Sequence, residues 1–88
     1  MTAFKAGNYS EAAWHFAAVT EADDQNHKAW NALGIYLSKT GEYGEADICF
    51  ENALTLRPDN ETYKKNQDRN RKKYPSMFSR NSSVRIML

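Results

Sequence analysis

Apolar residues in the middle of this 88-residue chain recur with a helical period. Ala29, Trp30, Leu33, Gly34 and Leu37 fall at i, i+3, i+4 and i+7 spacing around Trp30, which predicts an amphipathic helix over 27–39. Gly41 closes that helix. A second apolar stripe of Tyr43, Ala46, Phe50, Ala53 and Leu54 predicts a helix over 42–55, stopped at Arg57-Pro58 because proline cannot continue the hydrogen-bond ladder. Two antiparallel helices joined by a tight turn are expected.

The pattern repeats at an offset of about 34 residues. Gly7, Tyr9, Glu11, Ala12 and Phe16 return as Gly41, Tyr43, Glu45, Ala46 and Phe50, and Asn26 returns as Asn60. Past Asn60 the matches stop. One full unit is thus expected over 27–60. A second-helix half-unit over 8–21 precedes it, with Asn8 and Glu11 spaced as in a capping box. A helix-permissive segment over 60–73 follows. The expected organisation is an N-terminal stub at 1–7, a helical domain at 8–74 and a disordered tail at 75–88 that begins at Pro75 and ends in Val84-Arg-Ile-Met-Leu88.

These residues resemble the tetratricopeptide repeat family: Trp30-x-x-Leu33-Gly34, then Gly41-x-Tyr43-x-x-Ala46-x-x-x-Phe50-x-x-Ala53-Leu54, then Pro58. The half-unit Gly7-x-Tyr9-x-x-Ala12-x-x-x-Phe16 matches less fully, with Val19 and Asp24 where the family usually has alanine and proline, and Leu37 stands where it usually has tyrosine. The fold implied is all-α, an antiparallel helix-turn-helix fragment of an α-solenoid with about four helices and a flexible C-terminal tail. The function implied is a protein-protein interaction scaffold that takes a peptide or a partner helix in a concave groove. Read from the residues alone, Gly34 and Ala46 are small because two helices cross closely there, and Trp30, Tyr43 and Phe50 fill the space around the crossing.

Charge adds a direction to that groove. The formal net charge is only +1, but residues through Asn60 carry four basic side chains against nine acidic, and residues 61–88 carry eight against two. Stepping about 100° per residue away from the apolar stripe places Lys28, Ala32, Ile35 and Lys39 on the groove side of the first helix, with Asn31 and Ser38 flanking. The same side of the last helix carries Thr62, Asn66, Arg69 and Lys73, with Lys65 and Lys72 flanking. The groove is expected to be basic and to favour an acidic peptide, since lysine and arginine donate charge-assisted bonds to carboxylates. A plain solvated helix face explains the lysines equally well. Some family members clamp a C-terminal carboxylate through an asparagine and paired basic residues. Ala32, Thr62 and Asn66 occupy those places here, so that activity is not carried over.

The two ends are expected to differ. Lys64, Gln67, Asp68 and Arg71 on the outward face of the last helix would be costly to bury, so the array should end there, with Tyr63, Gln67, Asn70 and Tyr74 turned inward. At the front, Tyr9, Trp14 and Phe16 lack a preceding helix to cover them. They are a candidate partner surface, covered by a second copy in a homo-oligomer, by upstream repeats of a longer parent, or by the tail 84–88.

Other functions have weaker support. The single cysteine, Cys49, permits no internal disulfide, and His15 and His27 show no metal-ligand or nucleophile-base spacing. No enzyme activity, metal or cofactor is expected. Nucleic-acid contact through Lys64 to Lys73 is the alternative function, opposed by the acidic body. With no apolar run long enough to span a bilayer and no apolar leader, the expected location is the cytoplasm, away from membranes.

Overall fold

The computed structural model describes residues 2–74, with side chains from Asn8 onward. The expected disordered tail at 75–88, including the apolar 84–88, lies outside the described residues. Four helices follow one another without an intervening strand among those residues: α1 (Thr2–Ala22), α2 (His27–Lys39), α3 (Tyr43–Leu56) and α4 (Glu61–Lys73). The all-α helix-turn-helix architecture expected from the periodicity is present.

Each boundary has a local cause. Asn26 caps α2, its side-chain oxygen accepting from the Ala29 amide at 3.0 Å, and Asn60, one repeat later, caps α4 by accepting from Tyr63 at 2.9 Å. A capping oxygen of this kind satisfies a backbone donor that the helix itself leaves open. The end of α2 is a Schellman turn: the Glu42 amide donates to Leu37 at 2.8 Å and the Gly41 amide to Ser38 at 3.1 Å. Gly41 sits at φ +90°, where a side chain would be strained, so glycine is required. Trp30 anchors the preceding connection by donating its indole N–H to the Asp24 carbonyl at 2.9 Å.

The core lies on both sides of α2, which packs against α1, α3 and, more lightly, α4. Against α3, the crossing is made by small residues and one ring. Ala46 and Ala53 are fully buried, Phe50 is 1% exposed, and Phe50 lies flat over Gly34, whose position leaves no room for a side chain. Against α1, Ala13, Leu33 and Cys49 form a buried cluster with Phe16, Ala17, Trp30, Tyr36 and Leu37 packed around it. Burial pushes the Cys49 thiol up to about 11, helped by the nearby Glu45 carboxylate, so it stays protonated at neutral pH.

One boundary differs from expectation. The stretch expected to be a stub at 1–7 is helical from Thr2, and α1 runs through Asn8 rather than being capped by it. Ala3, Phe4, Lys5 and Ala6 contain no helix breaker, and a single interior glycine costs only about 1 kcal/mol. Gly7 and Gly41 therefore occupy equivalent repeat positions with different roles, one inside a helix and one in a turn.

Gly34→Ala tests the α2–α3 crossing. Helix propensity alone predicts a gain of about 1 kcal/mol. An added Cβ would meet the Phe50 ring at 2.8–2.9 Å, so a loss of roughly 1–3 kcal/mol is expected in urea denaturation. A variant as stable as the parent would contradict the described contact.

Candidate functional site

The candidate site is the groove between α2 and α4, and its geometry depends on how α4 is held. Tyr63 is the one large apolar residue that α4 buries. The rest of the attachment is polar. Asn66 donates to Asn31 at 2.9 Å, Gln67 to the Glu51 carboxylate at 2.7 Å, and Asn70 to the Tyr43 carbonyl at 3.0 Å. Arg71 makes a forked pair with Asp47 at 2.7 and 3.2 Å and reaches Glu51 at 4.0 Å. The Asp47 bond, outweighing partial burial, raises the Arg71 pKa above its ordinary value. At the upstream end, His27 Nδ1 lies 2.6 Å from the Tyr63 hydroxyl.

This arrangement corrects the expectation for the last helix. Arg71, expected on its outward face, lies against α3, and so does Gln67, expected on both faces, because Asp47 and Glu51 offer carboxylates at hydrogen-bond distance. Tyr74, expected to point inward, is 49% exposed, with its ring 6.3 Å from that of Tyr43 between centroids.

Between the two helices, Ile35, Ser38 and Lys39 of α2 face Asn66, Arg69, Asn70 and Lys73 of α4 across a shallow groove of about 60 Å³, with Phe50 at its base. Three cations line it and no carboxylate does. Asn70 is 1% exposed, and its side-chain oxygen has no hydrogen-bond partner among the described residues.

Five of the nine expected groove residues are thus brought together: Ile35, Ser38, Lys39, Arg69 and Lys73. Asn31 is half-buried and committed to Asn66. Lys28, Lys65 and Lys72 are exposed and off the lining, with Lys72 paired to Asp68 at 3.2 Å. The expected front surface divides in two. Tyr9 and Phe16 are half-buried against Tyr36, with ring centroids 6.2 and 5.9 Å from it, and Lys39 sits over the Tyr9 ring at 5.6 Å. Trp14, on another side of α1, is 83% exposed.

Four residues that shape the site were not among the expected groove residues. Tyr36 is the partner of the Tyr9 and Phe16 rings, and the seven-residue spacing of those aromatics was the available signal. Asn70 carries the buried acceptor. Asp47 and Glu51 hold Arg71, and their four-residue spacing on α3 was a sign of a shared face.

Residues 27–60 match the family model of the tetratricopeptide repeat, so the chain carries one such repeat, built from α2, α3 and their connections. Units of this family are non-catalytic and mediate protein-protein interaction. No match to the chain was found among the curated proteins.

The His27–Tyr63 contact, which closes the upstream end of the α2–α4 pair, gives a pH dependence. Desolvation lowers the His27 pKa below 6.5, assisted by the Arg57 and Lys28 charges. The folded chain therefore takes up this proton less readily than the unfolded chain. The contribution is complete above 6.5 and is lost as pH falls through the folded-state value. Urea midpoints should drop between about pH 7.5 and pH 5.5, and His27→Gln should flatten that slope. An unchanged slope in the variant would contradict the assignment.

Proposed function

We propose that this protein is an interaction scaffold whose α2–α4 groove binds an extended acidic peptide of a partner protein in the cytoplasm. The carrying observation is the convergence of three cations, Lys39, Arg69 and Lys73, on a groove lining free of carboxylates. The cations suit side-chain carboxylates through charge-assisted bonds, and Ile35 offers an apolar contact beside them. An acidic peptide carries both kinds of group together.

The competing use of the basic helix for nucleic acid is disfavoured by its ion pairs. Lys64 pairs with Glu61 at 3.7 Å, Arg71 with Asp47 and Lys72 with Asp68, so much of the charge along α4 is already answered within the chain. Phosphate binding needs cations free to replace counterions. No described helix is long and apolar enough to cross a membrane, which accords with an aqueous partner.

Anisotropy of a fluorescein-labelled peptide of alternating aspartate and leucine, with single-stranded DNA as the parallel probe, tests this reading. Arg69→Glu with Lys73→Glu should weaken the peptide by about tenfold or more, since each reversal replaces an attraction by a repulsion. The salt dependence should weaken with it. Equal peptide affinity in the variant, or tighter binding of DNA than of peptide by the parent, would overturn the proposal.

A further inference from the structure

A second groove lies on the other side of the molecule, between α1 and α3. Its floor is Leu33 and Leu37 of α2 with Cys49 of α3, and its volume is about 470 Å³. Trp14 and Ile48 stand on its two walls, 83% and 60% exposed. These are equivalent positions one repeat apart, so the same face of two successive second helices is apolar toward solvent. Glu42 and Glu45 line the groove, both exposed, and neither carboxylate has an ion-pair partner among the described residues. The groove shares no lining residue with the basic groove. An exposed apolar patch rimmed by charge marks a surface that another segment covers.

We propose that this groove docks the chain's own segment 84–88, Val84-Arg-Ile-Met-Leu. Four of its five residues are apolar and the fifth is Arg85; over 75–88 the chain carries Arg80 and Arg85 and no acidic residue. That composition complements an apolar floor edged by two unpaired carboxylates. The route is short. The chain leaves α4 at Tyr74, whose ring lies against that of Tyr43, the first residue of α3 and the neighbour of Glu42. The ten residues from Pro75 to Val84 can span roughly 33 Å when extended, ample to pass a helix about 10–12 Å in diameter. Covalent attachment sets an effective concentration on the order of millimolar, which favours this segment over an untethered competitor of similar composition. Docking here would leave the basic groove open.

The test uses the full chain. Ile86→Glu with Leu88→Glu changes no residue of the four helices, so the fold is retained, and the NMR signals of Phe50 and Ala53, buried and outside the groove lining, serve as its control. The Trp14 indole and Ile48 methyl resonances should shift in this variant, by the same amount on dilution, while Ile35 and Arg69 stay in place. Glu42→Lys with Glu45→Lys should shift Trp14 and Ile48 in the same direction. Unmoved Trp14 and Ile48 signals would overturn the proposal. A shift that grows with protein concentration would overturn it too, by assigning the groove to a second copy.

Discussion

The close approach of α2 and α3 at Gly34 and Phe50 is the constraint on which the rest of the molecule depends. With no side chain at Gly34, the Phe50 ring can lie on the α2 backbone, and the fully buried Ala46 and Ala53 keep the two helices close along the crossing. The Schellman turn through Gly41 joins the pair in three residues, leaving little freedom in how they meet. Once α2 and α3 are locked, α2 has two remaining edges. α1 takes one and α4 approaches the other, so the crossing sets the geometry of both grooves.

The flanking helices attach by different chemistry. α1 is held by apolar and aromatic packing of Ala13, Phe16 and Tyr9 on Leu33 and Tyr36, an attachment whose strength follows buried apolar area. α4 buries one tyrosine and is otherwise held by side-chain hydrogen bonds and the partly exposed Arg71–Asp47 pair. Single hydrogen bonds of this kind contribute about 0.5–1.5 kcal/mol net, and partly exposed ion pairs less than about 1 kcal/mol. The polar attachment therefore holds α4 with little apolar burial while still positioning Arg69 and Lys73 at the groove. One side of α4 is bonded to α3, and another carries Arg69 and Lys73 into the groove.

The repeat and its core were legible because burial imposes a period on the sequence. Trp30, Leu33, Gly34, Ala46 and Phe50 announce both the helices and their crossing, and the 34-residue offset announces the unit that the family match covers. The start of α1 was not legible, since the glycine that ends α2 at position 41 is tolerated inside α1 at position 7, and only the surrounding chain distinguishes the two uses. Groove residues were half legible. A helical wheel puts Ile35, Lys39, Arg69 and Lys73 on the sides of their helices that line the α2–α4 groove. It cannot show that Asn31 is spent on Asn66, or that Arg71 finds two carboxylates on α3, because those partnerships depend on how the helices are packed.

Native-state hydrogen exchange measures the central claim most directly, because it ranks the free energy needed to open each segment. If the Gly34–Phe50 crossing is the foundation, the amides of Leu33 to Leu37 and of Cys49 to Ala53 exchange only through global unfolding, while those of α4 open at lower free energy without exposing α2 or α3. Protection in α4 equal to or greater than that of the α2–α3 pair, or opening of α2 and α3 while α4 stays closed, would contradict the account.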